Sequence, residues 1–521
     1  MPMEPVGTGA TGAGIGIARI GMSMTLARIA SAQAAFAVRS DPSSPTRRPP
    51  PMIRFFSCLL LLLSAGSLFA AEPTPWATYR GNSARTGNTD GRAVPDQPVV
   101  LWAVASQDHI IAAPVPVGDS LYVSGFGAFN RPTIALYPTI DGKKPLWSRS
   151  APYLRLASVS SPAVSGNSLV FGDGLHQDSG GVLHCLTADT GRPVWQLPMP
   201  GDLTHLEGAP TIADGRVYMG AGAGGVICVE LDKATLDGKD VTAAEVATLQ
   251  EAKWKELLAK YEADKKKDPD FVVPPTEDGL LKPEPKKVWH KGEKKWHVDA
   301  PVCVVGDKVL VCTSYLDKEK VGEKALYCLN AKTGETLWTQ PLALNPWGGA
   351  SVSGETVIVS GSSVGYYFAQ LKGAKGELAA FNLADGKPKW KKDVPGGVVG
   401  AVVIADGLAV ITATDGKVRG YAVSDGDRKW IYDTKSQTFA PVAIAGGVVY
   451  IGDLVGGIHA VALKDGLPKW KIDLGTDPAV KAPGMVYGGV TVHGGKLFVG
   501  TCNLEGPNAR KGTCLVCIGV K

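Results

Sequence analysis

The residues best suited to chemistry are nine cysteines and eight histidines, so their spacing comes first. Cys514-Leu-Val-Cys517 has the spacing of a redox pair, but its apolar surroundings read as a strand. Residues three apart on a strand point to opposite faces, so the two sulfurs would not meet. Cys185, Cys228, Cys328 and Cys517 hold equivalent places in a repeat described below, where other copies carry Tyr137, Ala380, Gly420 and Ala460. A place that accepts Ala and Gly is a small packing site, and inert thiols are expected there. Cys502 and Cys514 flank one hairpin loop and would be able to pair in an oxidising compartment. His176, His184 and His205 fall within one repeat without the spacing of metal ligands. No metal site is expected. There is no Gly-x-Ser-x-Gly elbow, phosphate loop or Cys-x-x-Cys-His haem motif, and no catalytic residue is assigned.

The elements that would carry such residues are set by a repeat. Cys328-Leu-Asn-Ala-Lys-Thr-Gly334-Glu-Thr-Leu-Trp338 has close relatives ending at Trp195, Trp390 and Trp470. The series Trp102, Trp147, Trp195, Trp289, Trp338, Trp390, Trp430 and Trp470 has steps of 45, 48, 94, 49, 52, 40 and 40. Earlier in most copies, Ala-Pro or Ser-Pro precedes an apolar run, as at Ala113-Pro114, Ser161-Pro162, Ala209-Pro210, Ala300-Pro301 and Ala440-Pro441. A turn such as Gly306-Asp307 or Gly446-Gly447 then reverses the chain into a second run. Alternating Val, Ile and Tyr between such turns makes antiparallel hairpins, four strands to a copy. One four-stranded sheet cannot bury both faces, so the copies must stack radially as propeller blades. The last copy stops after its third strand, and Val99-Val100-Leu101-Trp102 offers the missing fourth. The expectation is an all-β, eight-bladed propeller over residues 99–521, closed by the N-terminal strand.

The Ala-x-(Asp/Asn)-x-x-Thr-Gly-x-x-x-Trp pattern resembles the tryptophan-docking motif of pyrroloquinoline quinone (PQQ)-like repeats. These are found in quinoprotein alcohol dehydrogenases and in the outer-membrane assembly factor BamB. Trp76-Ala-Thr-Tyr-Arg80-Gly is similar to the opening of many secreted bacterial members. The resemblance implies that the eight tryptophans dock blade on blade. It also implies that an enzyme of the family would use PQQ, calcium and carboxylates, often with a ring of two adjacent disulfide-linked cysteines. This chain has no Cys-Cys dipeptide.

Met52-Ile53-Arg54 followed by an apolar run to Leu63 and small residues to Ala71 reads as a signal peptide over 52–70, too short for a membrane span. Residues 1–51 read as an extension from a mis-assigned start, and 71–98 as a lead-in. Residues 1–70 hold six basic and two acidic residues, which leaves 48 basic against 47 acidic in 71–521. That balance excludes a nucleic-acid footprint. A periplasmic or secreted monomer without a transmembrane segment is expected.

The doubled tryptophan step contains an insertion, 233–286, in blade three. Thr242-Ala-Ala-Glu245 is a capping box. Val246, Leu249, Trp254, Leu257, Leu258 and Tyr261 approximate one helical stripe, which suits a helix lying on the propeller's flank. A proline-rich stretch follows. On the face shared by the loops into each first strand and between second and third strands, Tyr153, Arg155, His205, Glu207, Trp347, Tyr366, Tyr367 and Phe439 form a candidate interaction face. The expected function is a non-catalytic scaffold that binds another envelope protein, with no cofactor. The alternative is a periplasmic PQQ-dependent alcohol or sugar dehydrogenase, with calcium, whose site has diverged.

Overall fold

The computed structural model describes residues 79–82, 90–365, 368–506 and 508–521. The extension 1–51, the signal peptide 52–70, Trp76, Tyr366 and Tyr367 lie outside the described residues. Eight sheets account for the strands, each blade running from its innermost to its outermost strand. Blade one, for example, contains Val115–Val117, Ser120–Phe126, Pro132–Pro138 and Trp147–Ser150 in that spatial order. Blade eight takes Val490–His493, Lys496–Gly500 and Thr513–Gly519 from the C-terminal end, and Val99–Ser106 completes it. Trp102 pairs there with Cys517 across the closing seam.

The core lies between blades. Eight clusters of buried side chains each join two neighbouring sheets, as Val170, Leu183 and Trp195 of blade two meet Val217, Met219 and Val229 of blade three. The inner strands of a blade are buried on both faces, which explains why they read as Val- and Ile-rich runs, whereas outermost strands such as Pro468–Asp473 are largely exposed.

The tryptophans fix the spacing of the blades. Trp102, Trp147, Trp195, Trp289, Trp338, Trp390 and Trp430 each donate their indole N–H to a backbone carbonyl of the next blade, at 2.7–3.2 Å. For six of them, all but Trp195, the glycine of the following Thr-Gly or Asp-Gly turn lies against the ring. At Gly386, with φ +73°, a Cβ would fall 2.7 Å from the Trp338 ring. Both the left-handed backbone and the close approach require glycine. Across the strand, most tryptophans face a small partner: Cys185, Cys228, Cys328, Ala380, Gly420, Ala460 or Cys517. In blade one the residue opposite Trp147 is Leu136, not Tyr137. Cys514 packs in the layer between blades seven and eight, and Cys517 in the layer between eight and one. Cys502 and Cys514 are free buried thiols.

The insertion adds a strand, Lys239–Thr242, and one helix, α1, Ala243–Lys267. The capping box forms, with Thr242 and Glu245 bonding reciprocally. Val246 enters the layer between blades two and three, and Gln250 accepts from Leu281 N–H and donates to Leu281 C=O. Arg192 stacks 4.1 Å from the Trp254 ring and pairs with Glu277. The helix therefore lies along the blade two flank. Its expected stripe is only partly right: Leu249 and Leu258 face solvent, because the buried side is set by the i, i+4 ladder through Val246, Gln250 and Trp254. No helix among the described residues is long and apolar enough to cross a membrane.

Candidate functional site

The loops leading into the first strands meet around the propeller axis. A cavity of about 380 Å³ opens there, lined by these loops from all eight blades, at Ala112, Ser161, Ala209, Pro301, Trp347, Gly400, Pro441 and Gly488. Only the axis is within reach of all eight. The recurrent Ala-Pro and Ser-Pro steps thus build the wall of the cavity as well as starting the blades. Tyr79 also lines it, and the neighbouring Arg80 is buried and donates to Ser351 Oγ at 2.7 Å. The lead-in therefore reaches inside the ring of blades.

Aromatic and acidic side chains share this cavity. Trp347 is oriented by its indole N–H, which donates to the Val364 carbonyl at 2.7 Å. Phe439 and Tyr487 meet edge to face, 4.8 Å between centroids. Glu207, Asp299 and Glu505 supply carboxylates, and no lysine or arginine is among the described residues lining the space. Burial foremost, then the nearby Asp299 charge, pushes the Glu207 carboxyl up to about 7.

Two short extended segments bring a second group of residues to the cavity wall. In His205-Leu206-Glu207 and His297-Val298-Asp299, the middle residue is fully buried between blades. Alternation along an extended chain then turns the outer two residues of each segment together toward the axis. Val298 is pinned by two backbone hydrogen bonds with Gly222. At Gly222, with φ +53°, a Cβ would fall on the Leu203 carbonyl oxygen and 3.1 Å from the His205 ring, so glycine is required where the imidazole packs. Asp299 bridges the two histidines, with Oδ1 3.0 Å from His205 Nε2 and Oδ2 3.2 Å from His297 Nδ1. His176, from the loop between the second and third strands of blade two, completes the group, its ring centroid 5.5 Å from His205 and 5.9 Å from His297.

The charges in this group are strongly shifted. Burial would lower His205, but the Asp299 carboxylate outweighs it and holds the imidazole up to about 9. Asp299 is likewise opposed by burial, yet His297 and His205 hold it well below the ordinary carboxylate range. His176 is lowered to about 4, chiefly by burial.

The structure brings Glu207, Trp347 and Phe439 of the candidate interaction face to one cavity. His205 lies behind its wall, fully buried. Arg155 is exposed away from the lining, and Tyr153 is a core residue beside His184. His297, Asp299, Tyr487 and Glu505 are not singled out by the sequence, and Tyr79 and Arg80 enter there only through the opening motif, with no place in a site. One signal was present: both His-x-acid tripeptides stand just before an Ala-Pro step, in consecutive blades.

The family model of the outer membrane protein assembly factor BamB matches residues 90–254 and 322–506, more than half of the chain. No curated protein matches the chain at the sequence level. Among solved structures, BamB from Moraxella catarrhalis superposes with a TM-score of 0.52 at 13% identity, over 81% of this chain and 98% of that one. A europium-containing methanol dehydrogenase gives 0.57 at 14% identity, over 86% and 98%. A quinohemoprotein alcohol dehydrogenase from Pseudomonas putida HK5 gives 0.55 at 12%, over 86% and 80%. At such identities the likeness concerns the fold. The repeat, the eight blades and the family match together establish that the chain belongs to the BamB family of PQQ-like propellers.

Proposed function

We propose that this protein is a non-catalytic interaction scaffold of the bacterial cell envelope that receives a basic, apolar segment of a partner protein in its axial cavity. The observation that carries this reading is the lining: Tyr79, Trp347, Phe439 and Tyr487 with three carboxylates and no basic side chain among the described residues. Aromatic faces and carboxylates together favour a lysine or arginine flanked by apolar groups. A volume of about 380 Å³ suits one or two side chains rather than a folded surface. The signal-like stretch from Met52 supports export, and the family's named member is an assembly factor.

The rival reading is a periplasmic PQQ-dependent dehydrogenase. PQQ is a tricarboxylate, and this cavity would set its charges against Glu207, Asp299 and Glu505 without a lysine or arginine in the described lining. Carboxylates are expected beside calcium in such an enzyme, so what weighs against this reading is that the described lining holds no lysine or arginine for the quinone's charges.

A displayed peptide library, selected on the protein and counter-selected on a Trp347→Ala variant, tests the reading. Enrichment of peptides with Lys or Arg beside an aromatic or aliphatic residue, weakened by Glu505→Gln, is the expected result. Selection of acidic peptides, or none dependent on Trp347, would sink it.

A further inference from the structure

Among the described residues, three sites hold aspartate within 3.2 Å of histidine, and two of them explain themselves. In blade two, Asp173 lies 2.9 Å from His184 Nε2, and Gln196 satisfies the other ring nitrogen at 3.1 Å. In blade seven, Asp453 lies 3.2 Å from His459 Nε2, and Tyr432 satisfies the other nitrogen at 3.0 Å. The two sites are repeat equivalents, on the residue after the second strand and the third residue of the third. Each carboxylate also accepts backbone N–H groups, from Val182 in one case and from Val455 and Gly457 in the other. Both are closed polar networks that hold a loop to a strand.

The third site differs in composition and in what it leaves open. Three imidazoles from blades two, three and four converge on one carboxylate, and among the described residues no other blade repeats the arrangement. One donor atom from each of His176, His205, His297 and Asp299 lies within 4.8 Å of all the others. His297 is fully buried, yet its Nε2 has no hydrogen-bond partner. A buried imidazole nitrogen left unsatisfied beside two other imidazoles and a carboxylate is a costly arrangement for packing alone.

We infer that His176, His205, His297 and Asp299 form a binding site for one divalent first-row transition-metal ion of the zinc class. Three imidazoles and a carboxylate are a nitrogen-rich donor set that suits zinc, cobalt, nickel or iron, and is poorly matched to calcium or magnesium. A tetrahedral ion with ligands at about 2.1 Å places its donors roughly 3.4 Å apart, so the cage tightens by about an ångström on loading. The ion takes the place of the proton shared between His205 Nε2 and Asp299 Oδ1. Because Asp299 also lines the axial cavity, the site sits in the cavity wall and binds together loops from three blades. This site stands independently of the partner-binding reading: it needs only the four side chains.

The test uses the chain from Ala71, stripped with a chelator, incubated with Zn2+, desalted and assayed for bound metal, with Co2+ as a visible-absorption probe. The expected result is one ion per chain, a Co2+ ligand-field band, and a melting midpoint raised by either metal. His176→Ala, at a half-buried loop position, should fold and lose the ion. His459→Gln, at the blade seven network, should retain it. His297→Ala should also lose it, but His176→Ala decides if that variant does not fold. A wild-type protein without stoichiometric metal, or a His176→Ala variant that keeps the full equivalent, overturns the proposal. Failure here would leave peptide capture by the cavity untouched.

Discussion

Replacing one docking tryptophan at a time by phenylalanine separates what the indole N–H contributes from what the ring contributes. Trp430 donates to the Leu463 carbonyl at 2.7 Å, whereas the buried Nε1 of Trp470 has no partner. The difference has a topological cause. In blade eight the third strand is not followed by a turn, because its fourth strand comes from Val99–Ser106. Trp430→Phe strands a buried carbonyl, at a cost of about 1–3 kcal/mol beyond the lost ring area. Trp470→Phe loses similar area but removes an unpaired N–H, so it should cost roughly 2 kcal/mol less than Trp430→Phe. With an unfolding entropy of about 2.1 cal/mol/K per residue over roughly 430 residues, that gap corresponds to a melting difference of about 2 °C. Both variants are scanned at one rate, because a propeller of this size need not unfold in a single step. Equal midpoints, or a lower one for Trp470→Phe, would refute the idea that the seven indole hydrogen bonds are what the docking motif contributes.

Further outcomes follow from the same geometry. Gly386→Ala, which meets the Trp338 ring, should cost about 2–4 kcal/mol, and Gly407→Ala, with the same φ of +73° and open space, only about 1 kcal/mol; urea unfolding of the pair checks this. Gln250→Ala removes both bonds to Leu281 and should speed trypsin cleavage near Lys265–Lys267 while leaving the propeller's melting midpoint within about 1 °C. Burial pushes Cys502 up to about 11 and Cys517 to about 12, so the native chain from Ala71 should react with Ellman's reagent at fewer than one thiol until denatured.

The fold was legible because its determinants are local and repeated. Trp338 has a counterpart in every blade, and Gly386 and the small residue across the strand recur in most, so one copy explains the others. The closing strand could be inferred from Trp102 alone, since a fourth strand was missing at one end and spare at the other. The axial site was not legible in this way. Its cage joins His176 to Asp299 across a whole blade and a 233–286 insertion, and ligand spacing rules compare only neighbours in sequence. His205 looked like a loop residue because its partner, the His297-Val298-Asp299 tripeptide, belongs to the next blade. The surface expectation failed for Tyr153 for a related reason. Sequence position placed it on the right face, but the apolar layer between blades one and two drew the ring inward.

The most direct test of the non-catalytic reading is a titration of the chain from Ala71 with PQQ and calcium, followed by intrinsic tryptophan fluorescence, with Trp347→Ala as the control, and by dye reduction with simple alcohols and sugars. The account predicts no saturable quenching and no turnover, because the described cavity lining offers a tricarboxylate no lysine or arginine. Saturable binding with dye reduction, abolished by Trp347→Ala, would contradict it and make this propeller an enzyme.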